Sequence, residues 1–298
     1  MKKILALIIT LLLATVLLSG CFKESKNEEI TSSEEPTTPS IDWTATPTVP
    51  TESIGLDMDW QYANLAAITS GQAVLYHAEN GNGIIVGVNA GHGTQGGTKV
   101  QTPCHPDYSG KVTGGSTGVG AVFAMAVSTG MTFKDGTPEA QVNLLEAQIL
   151  RNKLLAEGFD VLMLRDGDDV QLDNVARSVI CNNRANCHIA IHWDGDGLDY
   201  DKGCFYVSVP EELKLVHPVT FNWESHEALG SSLIEGLRSK NIPIYGDGYM
   251  AVDLTQTSYS TIPSVDVELG NSASDHSIEK LCDLADGLVV GIKQFFGK

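Results

Sequence analysis

Three short apolar segments, each ending in a side chain that can do chemistry, constrain this chain more than any other feature. Residues 84–89 run into Gly91-His92-Gly93, residues 188–192 end on His192, and residues 264–268 end on Glu268. Apolar runs of this length suit strands buried on both faces, the habit of parallel sheets. Between them lie stretches with helical patterning at residues 138–157 (stopped by Gly158), 173–184, 225–240 and 274–296. Two more strand-like runs cover residues 159–164 and 204–209. This alternation predicts an α/β fold, a single-domain sandwich of a mainly parallel sheet flanked by helices. Residues 72–77 and 84–89, with Asn80-Gly81 between them, read as a hairpin. In open sheets of this class, sites assemble beyond the carboxyl ends of the strands. His92, His192 and Glu268 all fall there.

The first twenty residues stand apart from that domain. Lys2 and Lys3 lead into an apolar run to Leu18 and then small residues, a secretory signal pattern. The run is short for a membrane span of ~20 residues, and Leu18-Ser19-Gly20-Cys21 resembles the bacterial lipobox, whose cysteine is acylated. This predicts a lipoprotein signal peptide over residues 1–20 and a lipid on Cys21. The rest of the chain is then extracytoplasmic and anchored to the cell membrane. Residues 21–53 are rich in Ser, Thr, Glu and Pro and have little to bury, so they read as a disordered tether. Residues 54–298 read as the folded domain.

With 42% hydrophobic residues in 298, the chain can build one sizeable core. Acidic residues outnumber basic ones 37 to 19, a formal net charge of −18. Nucleic-acid binding needs Lys and Arg to displace phosphate counterions, so nucleic acid is excluded as a partner. The same balance gives no grip on anionic lipid and leaves anchoring to the acyl chain. Beyond Cys21 the cysteines are Cys104, Cys181, Cys187, Cys204 and Cys282. Five cannot all pair, and none has a CxxC zinc spacing; they read as mostly buried small residues.

The glycine-flanked His92 sits on backbone free to approach neighbours closely. His192 ends its strand before the polar loop Trp193-Asp194-Gly195-Asp196-Gly197; His188, on the same strand face, competes with it but lies away from the carboxyl end. Glu146 falls inside the apolar arc of its helix with Val142, Leu145, Ile149 and Leu150. A carboxylate there is desolvated unless it binds a metal or pairs with an arginine such as Arg151 or Arg165. Two histidines and two glutamates from four elements form the inventory of a zinc hydrolase. Three protein ligands leave a zinc position open for water, and a further carboxylate can move the proton.

Several stretches also resemble one known family, the zinc-dependent N-acetylmuramoyl-L-alanine amidases of the type-3 fold, which trim bacterial cell walls. Gly91-His92-Gly93 resembles the family's first metal motif, and Asn143-Leu144-Leu145-Glu146 its helix with the glutamate ligand. Gly158-Phe159-Asp160-Val161 with Arg165-Asp166 is similar to its next strand and turn. Arg177 and Ala190-Ile191-His192 resemble its arginine-led helix and second histidine motif, and Val267-Glu268-Leu269-Gly270-Asn271 its strand with the catalytic glutamate. The resemblance implies one Zn2+ per chain on His92, Glu146 and His192, and Glu268 as the acid/base. It implies a peptidoglycan hydrolase that cleaves the amide between N-acetylmuramic acid and L-alanine. A zinc hydrolase of another amide or peptide, and a catalytically silent wall-binding lipoprotein, are the alternatives. The chain departs from the family at Asn89-Ala90, at Trp193-Asp194, and in its long segment after His92.

Other motifs carry less. Gly114-Gly115-Ser116-Thr117-Gly118 matches the spacing of a serine-hydrolase elbow but lacks the required strand before it. The Asp-rich runs at 166–169 and 194–196 lack the twelfth-position glutamate of a calcium loop. His105, His217, His226 and His276 have no motif around them and read as surface or loop residues.

Overall fold

The computed structural model describes residues 41–298. The expected signal peptide, the lipid-bearing Cys21 and much of the expected tether lie outside the described residues. In chain order the elements are β1 (Thr51–Ile54), β2 (Ala73–Tyr76), β3 (Ile85–Ala90), β4 (Gln101–Pro103), β5 (Phe123–Met125), α1 (Glu139–Ala156), β6 (Asp160–Met163), α2 (Asn174–Arg184), β7 (Cys187–Asp194), β8 (Cys204–Ser208), α3 (Trp223–Ser239), β9 (Ile244–Ala251), α4 (Thr255–Tyr259), β10 (Ser264–Asn271) and α5 (Ile278–Phe296). None of the described helices is long and apolar enough to cross a membrane.

Eight strands form one sheet in the order β1-β2-β6-β3-β7-β10-β8-β9, and β4 and β5 make a separate pair. The central strands β6, β3, β7 and β10 are parallel. The sheet turns antiparallel at β2 against β6 and at β8 against β10. The expected α/β sandwich with a mainly parallel sheet is therefore observed. The hairpin expected around Asn80-Gly81 is not. β6 inserts between β2 and β3, and Asn82 N–H donates to Gly158 O at 2.7 Å, so the turn wraps the entry to β6. β3 is buried on both faces and needs a partner on each edge; the apolar Val161-Leu162-Met163 of β6 meets that need.

Alternation along the central strands divides the sheet into an apolar and a polar face. Val86, Val88, Ile189, Ile191, Val265 and Val267 point into the main core, where Ile149 and Leu150 of α1, Leu233 of α3 and Leu284 of α5 meet them. Asn89, His188, His192, Ser264, Asp266 and Glu268 alternate onto the opposite face. There α2 and α4 cover the near half: Arg177 donates to Asn89 Oδ1 at 3.0 Å, and Gln256 to Ser264 Oγ at 3.1 Å. The far half, at the carboxyl ends, stays open.

Packing starts upstream of the expected boundary at residue 54. Asn152 of α1 donates to Trp43 O and Ala45 O at 2.6 and 2.7 Å, and Trp43 and Val49 pack on the main core.

Candidate metal centre and cleft

Two residues after β3 the backbone of His92 turns through φ 64°, a left-handed conformation that few residues other than glycine adopt. Buried arginines hold it there. Arg165 donates to Ala90 O and Gly91 O, both at 3.0 Å, and Arg177 to Ala90 O at 3.2 Å and His92 O at 2.8 Å. Burial lowers both guanidinium pKa values, to about 10 and about 9 respectively. Backbone carbonyls supply most of their partners. Such strain persists only where the surroundings over-determine it.

His92 Nδ1 lies 3.0 Å from Ser128 O, so its N–H donates there and the Nε2 lone pair faces inward. His192 Nδ1 stands 3.1 Å from that Nε2. Glu139, the first residue of α1, completes the group: its Oε1 is 3.0 Å from each of the two nitrogens. Close approach depends on glycine at two points. A Cβ on Gly91 would sit 2.2 Å from the His192 ring, and one on Gly130 would meet Glu139 Oε2 and the His92 ring at 2.6 Å.

These three atoms fit a metal. Bonds of 2.0–2.1 Å in a tetrahedral zinc site set neighbouring ligand atoms about 3.3 Å apart, close to the 3.0–3.1 Å triangle observed. Glu139 is 2% exposed. Burial alone would raise its carboxyl, but hydrogen bonds and charge from His192 and His92 outweigh this and hold it well below the usual range. Burial likewise disfavours charge on His192, yet Asp266 and Glu139 raise it to about 10. The pocket is built to hold positive charge.

Glu146 is not part of this group. Seven residues after Glu139, it lies on the same helical stripe but about 10.5 Å farther along the axis. It is fully buried, and neither carboxylate oxygen has a hydrogen-bond partner. Burial pushes its carboxyl well above the ordinary range, against the opposing charge of Lys153. Neither arginine suggested as its ion partner reaches it: Arg151 pairs with Asp166, and Arg165 serves the His92 turn. The signal for Glu139 was available in the topology. A helix that follows β3 and returns to start β6 begins at the carboxyl edge of the sheet, so only its first turn can reach that edge.

Glu268 sits beside His192 in the β10–β7 register. It lines the cleft, and one of its carboxylate oxygens is buried without a partner. Burial and the neighbouring Asp266 push its carboxyl well above the ordinary range. His188 points under the covered half of the sheet, fully buried, and burial lowers its pKa to about 3.

The centre opens into a cleft of about 740 Å³. Glu139, Asp194, Asp253, Asp266 and Glu268 make it acidic, and beside His92 and His192 the one lysine or arginine lining it among the described residues is Lys111. The long segment after His92 forms one wall, tied down by Asp253. The Asp253 carboxylate meets His105 Nε2 at 2.9 Å, accepts from Val112 N–H at 2.8 Å and pairs with Lys111, while Asp253 N–H donates to Thr113 Oγ1 at 2.8 Å. His105 is therefore fully buried rather than a surface residue, and His226 is buried as well, accepting from Ser264 N–H. Residues 114–118 form no strand–turn–helix and are loop along this wall. All five described cysteines are free, four of them buried.

Among curated proteins none matches this chain. Among solved structures, the N-acetylmuramyl-L-alanine amidase of Mycobacterium smegmatis is similar, with a TM-score of 0.61 and 23% identity over 74% of this chain and 99% of that one. The corresponding amidase of Mycobacterium abscessus gives 0.59 and 20%, over 72% and 99%. The N-acetylmuramoyl-L-alanine amidase of Clostridium difficile 630 gives 0.52 and 17%, over 74% and 99%. At these identities the likeness speaks for the fold. A family model described as N-acetylmuramoyl-L-alanine amidase matches residues 86–288, from β3 through most of α5. That span takes in His92, Glu139, His192 and Glu268, and the chain belongs to this amidase family.

Proposed function

We propose that this protein is a zinc-dependent peptidoglycan hydrolase that cleaves the amide between N-acetylmuramic acid and L-alanine. The observation that carries the reading is the triangle of His92 Nε2, His192 Nδ1 and Glu139 Oε1 at 3.0–3.1 Å in a chain of this family. Three protein ligands suit a catalytic rather than a structural site. Zinc held there supplies an acidified water and a Lewis acid for the scissile carbonyl. Glu268, beside His192 and facing the cleft, accepts the water's proton and passes it to the leaving amine. Arg165 and Arg177 hold the His92 turn, so the ligand geometry exists before substrate arrives.

Cys21 carries the lipid in this reading, the protein works outside the cytoplasm on wall near the membrane, and nucleic acid is not a partner. Digestion of purified peptidoglycan tests the activity. New L-alanine amino groups without new reducing sugars, abolished by chelator and restored by zinc, are expected. New reducing ends, or release indifferent to chelator, would contradict it.

A further inference from the structure

β10 carries one carboxylate to which the chemistry above assigns no task. Asp266 lies two residues before Glu268 on the same face of the strand and is 8% exposed. A carboxylate so buried is unfavourable unless a donor or an opposite charge compensates it. Its Oδ1 has no hydrogen-bond partner, and its Oδ2 lies 3.7 Å from His192 Nε2. The other charged groups acting on it are Glu139 and Asp194, which repel it, and His92, which attracts it; Glu268 stands beside it as a further carboxyl group. His192 is thus its one close counterpart.

His192 has the complementary need. A neutral imidazole places one proton on one of two nitrogens, and the partner of the protonated nitrogen decides which lone pair faces a metal. For His92 a backbone carbonyl does this, with Ser128 O at 3.0 Å from Nδ1. For His192 the nitrogens exchange roles: Nδ1 faces the centre, and Nε2 has no hydrogen bond among the described residues. The Asp266 carboxylate is the group in ion-pair range of it.

We propose that Asp266 is the positioning residue for His192: its carboxylate charge, 3.7 Å from Nε2, holds the proton on that nitrogen and so leaves the Nδ1 lone pair toward the metal. A cation on Nδ1 makes the opposite N–H a stronger donor, so the contact tightens the hold on metal. The proposal rests on the zinc reading above.

The test titrates the metal-free full-length chain with zinc against a competing chelator. It compares wild type with Asp266→Leu, Asp266→Asn and Glu268→Gln, and follows the thermal unfolding of each metal-free form. Wild type binds one zinc. Asp266→Leu binds it ~10–100-fold more weakly, Asp266→Asn falls between because its amide dipole keeps part of the attraction for Nε2–H, and Glu268→Gln stays within a few-fold of wild type. Affinity of Asp266→Leu within twofold of wild type overturns the proposal and leaves the zinc centre standing. So does a loss of unfolding temperature with affinity unchanged. If Asp266→Leu does not fold, wild-type affinity in Asp266→Asn decides against it alone. A wild-type chain that binds no zinc overturns the centre and this proposal together.

Discussion

Glu139 and Glu146 lie seven residues apart on α1, a separation that leaves them only about 20° apart around the axis, and their environments are opposite. Glu139 meets two imidazoles; Glu146 is fully buried and has no donor. Helical periodicity locates a residue around the axis, not along it, which is why the apolar-arc argument led to Glu146 and not to the turn that stands beside the two histidines. It detected a desolvated carboxylate correctly. Because folding raises the Glu146 pKa, the folded state favours the protonated acid. Its contribution to stability is complete below the unfolded carboxylate value of about 4.3 and is lost as pH rises toward the folded value. Glu146→Leu should therefore be the more stable protein at pH 7, by on the order of 1 kcal/mol or more, and its stability should vary less from pH 5 to 8. Denaturant unfolding at several pH values measures both. Parallel stability curves for the two proteins would contradict this account of Glu146.

The strands that carry the site were legible as elements because buried parallel strands are short, apolar and bounded by glycine or polar loops. β3, β7 and β10 all read this way, and the two histidines and Glu268 emerged with them. β9, with exposed residues over much of its length, gave no such signal. The wall of the cleft was illegible for another reason. Asp253 binds groups 140–148 residues earlier in the chain, and no local pattern reports a contact at that separation. Removing its carboxylate strands a buried Lys111 and the buried His105. Asp253→Ala is expected to lose ~3–5 kcal/mol of stability and to loosen the wall, raising KM several-fold while zinc content is unchanged. Kinetics on a soluble muropeptide with parallel metal analysis checks this. A zinc-depleted Asp253→Ala protein would mean that the wall supports the metal centre rather than the substrate.

At the scale of the molecule, the fold separates its attachments. Asn152, which holds Trp43, is thirteen residues and about 20 Å along α1 from Glu139. The chain thus joins the domain away from the cleft. In the proposed lipoprotein, about twenty residues separate the lipid on Cys21 from the packed Trp43, a reach of at most about 75 Å even at full extension, which limits the cleft to wall near the membrane. Cys21→Ala should shift the protein out of the membrane fraction or leave an unprocessed precursor; a membrane-bound mutant processed at the same site would refute the anchor. The central claim is that His92, Glu139 and His192 hold the metal and that Glu146 does not. Zinc content of purified Glu139→Gln and Glu146→Gln, measured side by side with wild type, tests it most directly. The account predicts about one zinc per chain in wild type and Glu146→Gln and a severe loss in Glu139→Gln, whereas full zinc in Glu139→Gln with loss in Glu146→Gln would contradict it.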